Sequence, residues 1–350
     1  MSWEENIRRV DPYVAGEQPG QAGVIKLNTN ECPYPPSPKV TDAIRQLQTD
    51  MFRLYPDMNA QKLVDALADY YHVKPEQVFI GVGSDDVLAM SFMTFFNGNQ
   101  PILFPDITYS FYDVWADVFR IPFRKCPLDE NFRIKKEDYF APNGGVIIPN
   151  PNAPTGVLEQ TALFEEIIKA NPDSIVIIDE AYIDFGGESM VPYVDRYDNL
   201  MVVQTFSKSR AMAGMRIGFA IANEKMIRYL KDVKFSFNSY TMNMPAILAG
   251  TAAVLDDAYF KETVGKIIKT REWTKKQLMR LGFSFTDSRS NFLFAAHKRV
   301  PAKDIFLALK ENNIYVRYWN KPRIENYLRI TIGTDEQMQV LVDFLENYLA

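Results

Sequence analysis

Of 350 residues, only two are cysteine and two are histidine. Cys32 and Cys126 cannot build a disulfide framework or a four-cysteine zinc site, so they read as two reduced thiols. His72, where a helix is expected to run into a loop, and His297, beside Lys298 and Arg299, leave little material for a histidine triad or a metal cluster. No apolar stretch is long enough to cross a bilayer, and the opening Met1-Ser-Trp-Glu-Glu-Asn-Ile-Arg-Arg lacks the apolar segment of a signal peptide. The expectation is a cytoplasmic protein with no membrane partner. There is no long Lys/Arg run, and the net charge is -5, which argues against nucleic acid as a partner while leaving room for a local basic pocket that holds a small anion. A complete phosphate-loop or six-residue dinucleotide signature is also missing, as are internal repeats and low-complexity tracts.

What is present is a globular balance, 47% hydrophobic and 24% charged, enough for a large core. Residues 1–35 mix polar and turn-forming types and end in Cys32-Pro-Tyr-Pro-Pro-Ser-Pro38, which reads as an extended arm that must lie on something else. Residues 59–71 carry Leu63, Val64, Leu67 and Tyr70 at helical spacing, with Asn59 as the expected N-cap. From Val78 a strand, a Gly81-Val-Gly83 turn and a helix follow in order. Further apolar runs at residues 102–104, 145–148, 174–178, 200–203 and 217–221 alternate with helical stretches such as 161–170. Near-continuous apolar strands interleaved with helices predict an α/β fold whose mainly parallel sheet is covered on both faces. After Pro245 a long helical region to Leu281, a strand near residues 291–294, a helix near 302–312, two short strands and a terminal helix from Asp335 predict a smaller α+β domain. The expected division is an arm (1–35), a large domain (36–245) and a small domain (246–350).

In such sheets, ligands gather where strands end. The stretch Thr205-Phe-Ser-Lys-Ser-Arg-Ala-Met-Ala-Gly-Met-Arg-Ile-Gly218 puts Lys208 directly after a buried run, where poor solvation favours a free amine able to attack an aldehyde. The hydroxyls of Thr205, Ser207 and Ser209, with the guanidinium of Arg216, are candidates for a phosphate. Backbone amides at Gly83, Ser84 and Asp85 open a helix and suit the same anion, while the Asp85 and Asp86 charges would not attract it. Other strand ends carry Asn152, in Pro149-Asn-Pro-Asn-Ala-Pro-Thr-Gly156, and Asp179 and Tyr182, in Ile178-Asp-Glu-Ala-Tyr182.

This ordered set resembles the fold-type I pyridoxal-phosphate aminotransferases across nearly the whole chain. Val10-Asp-Pro-Tyr-Val-Ala-Gly16, Leu27-Asn-Thr-Asn-Glu-Cys-Pro33 and Leu328-Arg-Ile-Thr-Ile-Gly333 are most similar to the histidinol-phosphate aminotransferase family. The resemblance implies a pyridoxal 5'-phosphate cofactor attached at Lys208, with Asp179 keeping the ring nitrogen protonated so that the ring accepts electrons. It implies Asn152 and Tyr182 on the phenolic oxygen, Tyr109 packed on the ring face, and Gly83, Ser84, Asp85, Ser207 and Arg216 around the phosphate. Tyr55, in Arg53-Leu-Tyr-Pro56, would reach the phosphate of a neighbouring subunit, which implies a homodimer with shared sites.

Substrate selection falls, by the same resemblance, to Arg329, Arg317 and Tyr13, which would bind the phosphate of a donor that has no α-carboxylate. A planar guanidinium suits phosphate and carboxylate alike, so Arg329 alone does not choose. The implied reaction moves an amine from a small-molecule donor, histidinol phosphate in that family, to a 2-oxo acid. Aromatic amino-acid aminotransferase and threonine-phosphate decarboxylase share the cofactor residues, and the chain departs from the family's commonest form at Cys32 and at Tyr34-Pro35-Pro36. A non-catalytic cofactor-binding regulator fits less well, because Lys208 is retained.

Overall fold

The computed structural model describes residues 2–21 and 23–350. A short strand β1 (Ile25–Lys26) follows the arm, and α1 (Pro38–Arg45) and α2 (Gln61–Tyr71) precede the main sheet. Its seven strands are β2 (Val78–Gly81), β3 (Ile102–Pro105), β4 (Phe123–Cys126), β5 (Gly145–Pro149), β6 (Val176–Asp179), β7 (Leu200–Thr205) and β8 (Gly218–Ala222), in the spatial order β2-β8-β7-β6-β5-β3-β4. Between them run α3 (Ser84–Phe95), α4 (Phe111–Phe119) and α5 (Thr161–Ala170), and α6 (Glu224–Phe237) and α7 (Met244–Val254) follow. Only β8 runs against its neighbours β2 and β7; the other pairs are parallel.

The apolar runs are continuous because both sheet faces are covered. Strand periodicity sends alternate residues to opposite sides. Val176 and Ile178 join Val202 and Val146 in one core under α2, α5 and α7, while Ile177, Met201 and Ile147 join a second core under α3, α4 and α6. Each such buried aliphatic side chain contributes about 1.5–3 kcal/mol over leaving it in water, so a charge at Ile177 would break both packing and solvation.

The remaining elements are α8 (Asp257–Arg280), β9 (Phe283–Phe285), β10 (Phe292–His297), α9 (Ala302–Glu311), β11 (Ile314–Tyr315), β12 (Arg317–Tyr318), β13 (Leu328–Thr331) and α10 (Asp335–Leu349). They form a four-stranded antiparallel sheet, β12-β13-β10-β9, with its own core. The arm lies here. β1 pairs with β11, and Leu27 is buried in that second core.

Two expectations need correction. The helical region after Pro245 is two helices interrupted at Leu255 and Asp256, and α7 buries Ala246, Ile247 and Ala253 in the core of the large sheet. Asn59 does not cap α2: Ala60 occupies the cap position in a left-handed conformation, and the Asp57 carboxylate accepts from the amides of Asn59 and Gln61 instead. The helix after the glycine turn begins at Ser84, at the amides expected to open it. The two histidines are structural: His72 terminates α2 in a left-handed conformation, and His297 is buried against the Leu281 carbonyl and the Val300 amide. Among the described residues no helix is long and apolar enough to cross a membrane, and no cluster of metal-ligating side chains occurs.

Candidate active site at the strand ends

Sheet register explains how residues more than a hundred positions apart meet. Gly218 pairs with Gly81 on one side and with Thr205 on the other, so the turn after β2 lies beside the loop after β7. A Cβ on Gly218 would sit 2.2 Å from the Ser84 amide nitrogen, and one on Gly83, whose φ is +85°, would sit 2.4 Å from Arg216 Nη2. Glycine is therefore what lets the Arg216 guanidinium close on the α3 N-terminus. No side chain caps α3, so its first amides point outward with the positive end of the helix dipole. Ser207 stands on the same edge, its hydroxyl accepting from Thr205 Oγ1 at 3.0 Å. The arrangement can hold a phosphate.

Not every expected hydroxyl contributes. Ser209 turns away and donates to the half-buried Asp184 carboxylate, and Thr205 Oγ1 is occupied with Ser207 and the Ile217 carbonyl. The Asp85 side chain is also engaged, accepting from Tyr109 at 2.8 Å and pairing with Arg216 at 3.4 Å.

Asp179 closes β6 and is buried. Burial pushes its carboxyl up to about 6, against the opposing effect of hydrogen bonds from Tyr112 Oη at 2.8 Å and the Ala181 amide. A carboxylate held at this cost is poised for a cation. Asn152, beyond β5, donates to the Ile107 carbonyl at 2.9 Å and to Thr155, and accepts from Thr108. Tyr182 accepts at its hydroxyl from Asn30 Nδ2 at 2.9 Å, which leaves the tyrosine proton free for another acceptor. Lys208, half-buried, directs Nζ to the Thr29 carbonyl at 3.2 Å and lies 5.9 Å from the centre of the Tyr182 ring.

Tyr109, Tyr182 and Lys208 line a cavity of about 480 Å³ that also reaches Tyr13, Arg317 and Arg329. Arg317 and Arg329 stand directly opposite each other on the antiparallel strands β12 and β13. Like charges in that register repel, which is costly unless an anion lies between or beside them. Arg329 donates to the Asn28 carbonyl at 3.0 Å; among the described residues its Nε has no partner. Burial lowers its guanidinium below the usual range, and Arg317 adds to the shift. Arg317 is held by the carbonyls of Val14 and Ala15 in the arm, while Tyr13 stacks on Phe111 with ring centres 4.1 Å apart.

The fold thus gathers thirteen of the fourteen expected residues at the ends of one sheet, the facing edge of another and the arm between them; Tyr13, Tyr109, Tyr182, Lys208, Arg317 and Arg329 line the cavity itself. The exception is Tyr55, which is 81% exposed, packs on Tyr240 at 4.7 Å and does not line the cavity. Sequence reasoning missed Tyr112, Asn30, Thr108 and Trp319. Trp319 had a signal: two residues after Arg317, strand periodicity puts it on the same face. Tyr112 lies three residues after Tyr109, where α4 begins. Asn30 lies in the Leu27–Pro33 segment that carries the resemblance, but its role is set by Tyr182, Asn291 and Thr331 from distant segments.

Comparison with known proteins agrees with this geometry. Residues 22–345 match the model of the class I and II aminotransferases. The histidinol-phosphate aminotransferase of Lactococcus lactis subsp. lactis (strain IL1403) is 51% identical over 349 residues, covering 100% of this chain and 97% of that protein. Among solved structures, histidinol-phosphate aminotransferase from Sinorhizobium meliloti in complex with pyridoxal-5'-phosphate superposes with a TM-score of 0.85 at 21% identity, covering 93% of this chain and 90% of that one. L-threonine-O-3-phosphate decarboxylase from Porphyromonas gingivalis superposes at 0.79 with 21% identity, covering 93% and 99%. These two structural likenesses speak for the fold, and the full-length sequence identity for the narrower kinship. The chain belongs to the class I and II aminotransferases and, within them, to the histidinol-phosphate aminotransferase family.

Proposed function

We propose that this enzyme transfers an amine from histidinol phosphate to 2-oxoglutarate, as a step of histidine biosynthesis, using pyridoxal 5'-phosphate. The observation that carries the donor assignment is the opposed pair Arg317 and Arg329, one with an unsatisfied buried Nε, at the cavity that Lys208 enters. The residues fit the cofactor in chemistry: an uncapped helix end with Arg216 for a dianion, a buried acid for a ring cation, and an amine for an aldehyde.

When bound, pyridoxal phosphate supplies an aldehyde that takes the substrate amine and a ring that accepts electrons as the α-hydrogen departs. Lys208 is the amine that would hold the aldehyde at rest, and its Nζ, once free, would be the group that accepts a proton and gives it back. Asp179, steadied by Tyr112, would keep a proton on the ring nitrogen. Tyr182, with Asn30 donating to its oxygen, would donate its free proton to the phenolic oxygen, and Asn152 would join it by giving up its bond to Thr155. Tyr109 would pack on the ring, and Gly83, Ser84, Asp85, Ser207 and Arg216 would hold the phosphate. Tyr13, Arg317 and Arg329 bind the donor phosphate in one half of the cycle and an acceptor carboxylate in the other.

The working form is a cytoplasmic homodimer in which Tyr55 reaches the partner's phosphate site; its exposure beside Tyr240 supports that reading. By function the chain divides into the arm, a cofactor-binding unit that includes α7, and a small unit from α8 onward. The test is single-turnover amine transfer to the bound cofactor, followed by its visible spectrum, with histidinol phosphate, phenylalanine and threonine phosphate in parallel. Conversion by histidinol phosphate is expected; conversion by phenylalanine only, or carbon dioxide release from threonine phosphate, overturns the donor assignment. Lys208→Ala should abolish turnover with every donor.

A further inference from the structure

The connection between β12 and β13, residues 319–327, crosses from the small sheet to the large one. Arg323 at its tip donates to Asp106 Oδ2 at 3.0 Å, to the Leu128 carbonyl at 3.0 Å and to the Asp129 carbonyl at 2.7 Å. Asp106 is itself anchored, because its other oxygen accepts from the amides of Ile107 and Leu128, both at 2.9 Å. The next residue, Ile324, is buried in a small cluster with Ile107, Leu128 and Phe132 from the large unit and Phe294 from the small one. Tyr327 stacks on Phe294 at 4.4 Å and meets Phe132 edge-on. A single arginine therefore ties this connection to the ends of β3 and β4 by three bonds, on the rim of the cavity.

At the start of the same connection, the Trp319 ring lies 5.3 Å from the Arg317 guanidinium and 5.2 Å from that of Arg329. An indole face attracts both cations while they repel each other, so it sets how far apart they stand. Arg329 lies over Phe292 as well, at 5.3 Å, which fixes it from the β10 side. Arg317 lacks such a second wall; its other contacts are two carbonyls of the exposed arm.

We propose that Arg323 is a positioning residue for the anionic end of the substrate: by fastening residues 319–327 onto Asp106 and the Leu128 and Asp129 carbonyls, it seats Trp319 against Arg317 and Arg329 and holds the two guanidiniums at the spacing a phosphate needs. This rests on the proposal that those arginines bind the donor's phosphate. Arg323 works through Trp319 and does not touch the reacting atoms. Lys208 and Asp179 sit on the large sheet and use none of these contacts, so loss of the tie weakens ground-state binding of the anion far more than the chemical step.

The experiment uses the cofactor-loaded enzyme and the variants Arg323→Gln, Arg323→Lys and Asp106→Asn. Arg323→Gln should raise KM for the phosphorylated donor about tenfold, the effect of misplacing one charge-assisted hydrogen bond, with a much smaller change in kcat. The KM for the same donor without its phosphate should move less than about twofold, and the dissociation constant of inorganic phosphate, measured by calorimetry, should rise with the donor KM. Asp106→Asn keeps an acceptor for the two amides and should act in the same direction, less than additively with Arg323→Gln. Arg323→Lys retains the charge opposite Asp106 and should recover part of the loss, which also serves if the glutamine variant does not fold. Equal KM changes for both donors, or unchanged phosphate binding in all three variants while Arg329→Leu abolishes it, would overturn the positioning role. If Arg329→Leu itself leaves phosphate binding and donor KM unmoved, the reading on which the proposal rests is what fails.

Discussion

The two ends of the site are built differently. The phosphate cradle at α3 consists of backbone amides, two glycines in close contact and one arginine, all set by the pairing of β2, β8 and β7 inside a single sheet. The donor end draws Tyr13 and two arginine-binding carbonyls from the arm, Arg317 and Arg329 from the small sheet, and the tie through Arg323 from the far side of the cavity. The first is rigid because sheet register leaves no freedom. The second is a meeting of three segments, each able to shift a little against the others. Cofactor chemistry needs the first kind of precision, whereas the choice of substrate resides in the second, where changes of loop and arm alter the pocket without disturbing the sheet.

The contrast makes opposite demands on mutants. Asp179→Asn strikes the rigid end: it leaves Tyr112 a partner but removes the charge facing the ring nitrogen. Breaking a buried ion pair costs about 3–5 kcal/mol, so kcat should fall by roughly 10²- to 10⁴-fold with every donor alike. Arg329→Leu strikes the composite end. With charged hydrogen bonds contributing about 1.5–3 kcal/mol each, kcat/KM for the phosphorylated donor should drop about 100-fold, while the spectrum of the bound cofactor stays the same. Equal losses of donor selectivity in the two variants, measured with phosphorylated and unphosphorylated donors, would erase the distinction between the ends.

The same contrast governs what the sequence makes legible. Lys208, Asp179 and Asn152 each follow an apolar run, so strand periodicity alone puts them at the edge where ligands collect, and the family resemblance then names their roles. The α/β class and the second, smaller sheet follow from the same apolar pattern. Arg323 and Asn30 were not legible as site residues, because their partners lie across the fold: Asn30 meets Tyr182 and Thr331, and Arg323 meets Asp106. Ser209 misled for the complementary reason. It sits next to Lys208 in sequence, but its hydroxyl turns to Asp184, which comes from the loop beyond β6.

Burial at the rigid end also has a signature in stability. Asp179 titrates near 6 in the folded protein against an ordinary 3.8. Between these values the folded chain keeps a proton that the unfolded chain has lost, so unfolding free energy falls as pH rises from about 4 to about 6, and the deficit of about 3 kcal/mol persists above. In cofactor-free protein, Asp179→Asn should abolish that share of the decline and be the more stable form at pH 7, as read by denaturant unfolding at several pH values. Glu180, pushed to about 7 by burial, imposes a similar decline at slightly higher pH and is removed separately as Glu180→Gln. An Asp179→Asn protein with the same pH profile as the parent would show that this carboxyl is not strained by its surroundings.

The smallest effect expected tests the cradle by one methyl group. Gly83→Ala places a Cβ 2.4 Å from Arg216 Nη2 at a φ of +85°. At φ +85° and ψ 165° the backbone is in a region that only glycine adopts readily, which costs a side chain about 1–3 kcal/mol, and the guanidinium has to swing aside. Arg216 is half-exposed and can move, so the fold should survive. Cofactor affinity should weaken about tenfold, while KM for the donor, measured at saturating cofactor, should stay within about twofold. Because the donor end shares no contact with Gly83, a matched rise in donor KM would mean that the two ends are coupled through the sheet and that the rigid part of the site also sets the spacing of Arg317 and Arg329.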